Sequence, residues 1–81
     1  MSILKISIRQ IKAARSLLDW SQERLAEVSG VSLPTIRRLE AVNGALGGRA
    51  DTGEKIVAAL EAAGVEFSDG DQPGVRLRKG A

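Results

Sequence analysis

Apolar residues recur at helical spacing from the eighth position. Ile8, Ile11, Ala14 and Leu18, with Arg15 among them, mark one face of a helix that Ser7 caps, and Leu17 widens the stripe. Ser21 caps a second helix, Gln22 to Ser29, with Leu25, Ala26 and Val28 facing inward and Gly30 as its stop. Ser32 caps a third. Pro34 sits in that helix's first turn, where its missing N–H costs nothing, and Val31 and Ile36 hold the positions of a hydrophobic staple. Ile36 and Leu39 face inward, which leaves Leu33, Thr35, Arg37 and Arg38 on other faces.

From Ala41 to Ala50 the Gly-rich chain reads as a loop, ending at Asp51-Thr52-Gly53-Glu54, a capping-box pattern with Asp51 as the cap. The helix that follows places Ile56, Ala59, Leu60 and Ala63 on one face, and Gly64 ends it. Residues 65–67 and 75–78 alternate apolar with charged around the turn-rich stretch 68–74, the pattern of a hairpin. Residues Ile3 to Ile6 are expected to add a third strand. Because a two-stranded ribbon is marginal alone, it must pack on the helices or pair with a second chain. The fold class is therefore all-α, a domain of four to five helices with a short C-terminal β-hairpin or strand appendage. Residues 1–81 form one domain, with a helical core over 7–63 and a hairpin or tail over 64–81.

Composition narrows the chemistry. The 81 residues contain no Cys, His or Tyr, which excludes a disulfide framework, a zinc finger, a Cys nucleophile and a His-based triad. An enzyme is not expected, nor a cofactor or metal. Glu54 and Glu61 have neither a cleft nor metal-ligand partners and read as a solvated face. Gly44-Ala45-Leu46-Gly47-Gly48-Arg49 lacks the Lys-Ser/Thr of a nucleotide loop and reads as a linker. The two aromatics, Trp20 and Phe67, leave a core of Ile, Leu, Val and Ala, with Trp20 packing as a plug and not serving as a base-stacking platform. No apolar run approaches the roughly 18 residues that span a bilayer, and Lys5 interrupts any signal-peptide core, so a cytoplasmic protein without a membrane partner is expected.

The net charge of +2 is small, but its distribution is uneven. Residues 1–20 hold Lys5, Arg9, Lys12 and Arg15 against Asp19, giving +3, and 31–50 hold Arg37, Arg38 and Arg49 against Glu40, giving +2. Residues 51–70 hold Lys55 against Asp51, Glu54, Glu61, Glu66 and Asp69, giving −4. Such a dipolar molecule would orient on a polyanion. The basic tail, Arg76, Arg78 and Lys79, suits either DNA backbone contact or solubilisation of an edge strand.

Two short helices joined at a Gly, the second capped, stapled and bearing exposed Arg, make a helix-turn-helix on physical grounds. Ala26 is small enough for close approach, Gly30 supplies the positive φ, and Leu25, Val31, Ile36 and Leu39 fill the space between. Trp20-Ser21-Gln22-Glu23-Arg24-Leu25-Ala26, Ser29-Gly30-Val31-Ser32 and Thr35-Ile36-Arg37-Arg38-Leu39-Glu40 together resemble the phage-repressor and Cro-like helix-turn-helix family, also called the xenobiotic-response-element family, over residues 7 to about 63.

The resemblance implies a sequence-specific, DNA-binding transcriptional regulator, with a repressor role, that binds duplex DNA as a homodimer. It implies that Gln22 and Thr35 meet phosphates, that Ser32, Leu33, Pro34, Arg37 and Arg38 enter the major groove, and that Arg38 reads a base. Leu33 and Pro34 stand where several relatives place Gln or Arg, so contact with a thymine methyl replaces hydrogen-bond reading there. Arg49 is a further DNA contact, and the pair Arg15 and Glu40 matches a structural salt bridge between the first and third helices. The alternatives are the antitoxin of a toxin–antitoxin pair, or a helix-turn-helix scaffold that binds a protein partner, which the apolar Leu33-Pro34 would suit. The ribbon is expected to supply part of a dimer contact.

Overall fold

The computed structural model describes residues 6–42, 50–68 and 73–78. In chain order these form α1 (Ile8–Leu18), α2 (Gln22–Ser29), α3 (Leu33–Glu40), α4 (Ala50–Ala62), β1 (Val65–Ser68) and β2 (Gly74–Leu77). The mostly helical architecture with a short antiparallel C-terminal ribbon is the expected fold class. No helix among the described residues is long and apolar enough to cross a membrane.

Local chemistry accounts for the helix ends. Ser7, Ser21 and Ser32 each accept a hydrogen bond from the backbone N–H three residues on, satisfying a donor that the first turn leaves open. Gly30 closes α2 with φ 77°, a left-handed conformation that costs a side-chain-bearing residue about 1–2 kcal/mol. Asp19 takes φ 58° after α1, and its N–H donates to the Ser16 carbonyl. α4 begins at Ala50, so Asp51 is a first-turn residue and not the cap; there its charge still complements the helix dipole.

The core gathers Ile6, Ile11, Ala14, Leu25, Val31, Ile36, Ile56, Ala59, Leu60 and Val65, with Leu18, Trp20, Leu39, Phe67 and Val75 packed against it. Two residues expected inside lie outside: Leu17 is 45% and Val28 41% exposed. Each residue turns a helix by about 100°, so burying Leu18 swings Leu17 toward solvent. On α2 the inward line runs through Gln22, Leu25, Ala26 and Ser29, which leaves Val28 on its flank.

The ribbon pairs Val65 with Leu77, Glu66 with Arg76, Phe67 with Val75 and Ser68 with Gly74, so both strands differ by one residue from the expected spans. It packs on α1 and α4 of its own chain. One side chain does much of the fastening. Gln10, 5% exposed, donates from Nε2 to the Ser68 and Gly74 carbonyls at 2.6 and 3.0 Å, while its Oε1 accepts from the Ser7 N–H at 2.9 Å. A single amide thus completes the α1 capping box and ties both strands at the turn end of the ribbon. Gln10→Ala removes these bonds in a dry environment, a loss of about 2 kcal/mol. Hydrogen exchange at the Arg78 amide, which donates to the Gly64 carbonyl at 2.8 Å, should quicken more than exchange at the α2 amides. Unchanged protection of that amide would show that apolar packing alone holds the ribbon. The expected third strand falls on residues 3–6, of which only Ile6 is described, and it is buried outside either strand.

Candidate nucleic-acid interface

The surface of interest is α3 and the first turn of α2. Ser29 Oγ accepts from the Val31 N–H at 3.2 Å, steadying the turn between them. Ser32 then caps α3, and its hydroxyl also donates to Thr35 Oγ1 at 2.8 Å. Val31 and Ile36 are both buried, as a staple requires.

Burial fixes which way α3 faces. Ile36 and Glu40 are its buried residues, and Leu33 and Leu39 flank them half-buried. Counting about 100° per residue, Pro34 and Arg38 point directly away from that face, with Arg37 on one side of them and Thr35 on the other. Pro34, Arg37, Arg38 and Ser32 are accordingly exposed, and Thr35 is half-buried. The two arginines lie in the last turn of α3, where the helix dipole favours positive charge. Arg37 approaches Glu23 of α2 at 3.6 Å.

The opposite face of α3 is anchored by a polar hub. Arg15 of α1 grips Glu40 with two donors, Nε to Oε2 at 2.8 Å and Nη2 to Oε1 at 2.6 Å, and its Nη1 donates to the Trp20 carbonyl at 2.8 Å. Gln22 Nε2 donates to the same Glu40 Oε1 at 2.9 Å. The Glu40 side chain is 4% exposed and that of Arg15 19%, so the pair is largely dry and joins α1, α2 and α3. Trp20 packs half-buried against the core, with the Arg24 guanidinium 5.9 Å above its ring.

Burial alone would push Glu40 up, but hydrogen bonds from Arg15 and Gln22, helped by the charges of Arg15 and Lys12, hold it below its ordinary value of 4.5. The Arg15 guanidinium is raised above its ordinary value, chiefly by its hydrogen bond to Glu40 against the opposing effect of burial. Because the folded carboxyl is the stronger acid, its contribution is present above pH 4.5 and is lost as pH falls through the folded value. The melting temperature should therefore drop on acidification below about pH 4.5, and in Glu40→Gln that drop should be shallower. Parallel acid profiles for the two proteins would remove Glu40 as a source of acid sensitivity.

α3 brings Ser32, Leu33, Pro34, Thr35, Arg37 and Arg38 together on one short helix. Gln22 stands at the start of α2, but its side-chain amide is turned onto Glu40. Arg49 lies outside the described residues, as do Lys79 and most of the Ala41 to Ala50 loop. Arg76 is occupied by Glu66 at 2.6 Å on the outer face of the ribbon. Two further residues, Gln10 and Glu23, gain their roles from contacts that the fold supplies. Ser7-x-x-Gln10 is a capping-box spacing and signals the local half of the role of Gln10, whereas nothing local signals that Glu23 meets Arg37.

Residues 11–41 match the family model described as helix-turn-helix. This segment is a helix-turn-helix. The match runs from within α1 through α2 and α3 and supports a DNA-binding regulator of the kind found in phage repressors and Cro, a regulatory family and not a catalytic one. No curated protein matches the chain. The helix-turn-helix accounts for the disposition of α2 and α3: one helix braces, and the other presents its outer face.

Proposed function

We propose that this chain is a sequence-specific transcriptional repressor of the cytoplasm that reads the major groove of duplex DNA with α3. The observation that carries this reading is α3 itself, whose inner face is clamped through Glu40 while Pro34, Arg37 and Arg38 project from the outer one. A helix held at its back by a dry, bidentate ion pair presents its side chains with little loss of freedom on binding.

In this reading Arg38 reads a guanine through O6 and N7, Leu33 and Pro34 lie against a thymine methyl, and Ser32 and Thr35 meet the rim of the groove. Gln22 holds Glu40 with one Nε2 hydrogen and offers the other to a phosphate beside the first turn of α2, where amides without intrahelical partners favour an anion, and Arg49 contacts another. A recognition helix of this length reads only a few base pairs, so the protein works as a homodimer on a twofold site, and repression follows from occupying that site.

Salt dependence of binding to a random-sequence duplex tests the reading. The logarithm of affinity should fall linearly with that of salt, with a slope of about −0.9 for each phosphate neutralised, and several such contacts are expected. Affinity that ignores salt, or no binding at all, would overturn it in favour of a scaffold that docks a protein through the apolar Leu33-Pro34 tip.

A further inference from the structure

We propose that Glu23 is a specificity-determining residue, which holds Arg37 back from indiscriminate contact with the DNA backbone. The inference rests on the DNA-binding reading above. Glu23 lies in the first turn of α2, and its Oε2 is 3.6 Å from Arg37 Nη2 on the outer side of α3. The pair thus ties the bracing helix to the recognition helix on the side presented to DNA. Both side chains are open to water, at 58% for Arg37 and 65% for Glu23.

A pair so exposed contributes little to folding. The stability of the α2–α3 unit has a better source in the buried Arg15–Glu40 pair. What the Glu23 carboxylate does change is the charge that approaching DNA meets. Arg38 has no ion-pair partner among the described residues, so it meets DNA as a full cation, whereas Arg37 meets it with the Glu23 carboxylate 3.6 Å away and its field partly offset. To reach a phosphate, Arg37 must leave Glu23, whose negative charge then faces the polyanion.

The two binding modes are affected unequally. Non-specific binding is almost wholly phosphate neutralisation, so a cation held by an internal carboxylate subtracts from it directly. In the specific complex α3 is seated, and a planar guanidinium gains fixed bidentate acceptors in exchange for a loose contact. Glu23 therefore weakens wrong sites more than the right one. The neighbouring Arg24–Glu27 pair shows the contrast: it lies three residues apart within α2 and leaves α3 untouched.

The test is a cycle of wild type, Glu23→Gln, Arg37→Ala and the double variant, each titrated with a random-sequence duplex and with the best duplex from a random pool. Melting should stay within about 4 °C for Glu23→Gln, as for a surface pair. Glu23→Gln should bind the random duplex about three- to tenfold tighter at roughly physiological salt, with a salt slope steeper by about 0.9. Its gain on the selected duplex should be smaller, so discrimination falls. In the Arg37→Ala background the Glu23→Gln gain should disappear. Unchanged random-duplex affinity would overturn the proposal, and so would weaker binding, which would mean that Glu23 itself contacts a base. An equal gain without Arg37 would reduce the effect to net charge and overturn it too. Failure of wild type to bind either duplex would fell the DNA-binding reading and this inference together, and is distinguishable from the other outcomes for that reason.

Discussion

Arg15→Ala lowers the melting temperature by about 12–24 °C. The cause is what remains behind. Without the guanidinium, Glu40 keeps only the Gln22 amide as a hydrogen-bond partner among those observed, while its side chain stays 4% exposed. Breaking a buried pair on one side costs about 3–5 kcal/mol, and the 19% exposure of Arg15 puts the value near the lower end, about 3 kcal/mol. The Trp20 carbonyl loses its donor in the same step. DNA affinity of the protein that remains folded should change much less than the melt, because Arg15 lies on the far side of α3 from Arg38. A normal melt with lost DNA binding would contradict this division of roles. Replacing both partners by apolar residues of similar size should restore most of the lost stability, since no charge is then stranded.

Arg38→Ala has the opposite profile. Arg38 is exposed and has no ion-pair partner among the described residues, so melting should hold while affinity for the preferred duplex falls by about 1–3 kcal/mol, or roughly five- to 150-fold. The loss should be uneven across sequences: the preference at one base pair relaxes, and binding to random duplex weakens only modestly. A uniform loss on every sequence would make Arg38 a phosphate contact. The pair Arg37 and Arg38 separates by readout, with Arg38 altering which base is preferred and Arg37, paired with Glu23, altering how far the preferred duplex is favoured over random sequence.

Residues that act on their own neighbours were legible in the sequence. The caps Ser7, Ser21 and Ser32, the positive-φ Gly30 and the staple of Val31 and Ile36 each bond or pack within a few residues, so pattern alone locates α1, α2 and α3. The ribbon was legible from alternation, although its turn-end pair Ser68 and Gly74 was not, because neither carries an apolar signal. Asp51 misled because a capping-box spacing can sit one turn position inside a helix that starts earlier, here at Ala50. Leu17 and Val28 are exposed although apolar, because angular position on the helix and not residue type decides burial.

What was not legible is long-range and polar. Gln10 reaches carbonyls 58 and 64 residues away, Gln22 turns onto Glu40 and Glu23 meets Arg37; in each case an ordinary surface residue gains its role from a neighbour that only the fold supplies. The Arg15–Glu40 bridge was anticipated by resemblance and not by pattern, and its bidentate geometry, with Gln22 and the Trp20 carbonyl attached, is what the structure adds. The candidate interface follows the same rule. Its residue list could be read from the sequence, but the direction in which α3 faces is read only from which of its residues the fold buries, Ile36 and Glu40.

Whether α3 reads bases is decided by selecting bound duplexes from a random DNA pool at roughly physiological salt and sequencing them. The expected result is enrichment of a twofold-symmetric site with half-site centres about 10 base pairs apart and a guanine preference that Arg38→Ala relaxes. Recovery of sequences no different from the starting pool would contradict it, because a recognition helix that faces DNA with Pro34 and Arg38 foremost cannot be indifferent to the bases it meets.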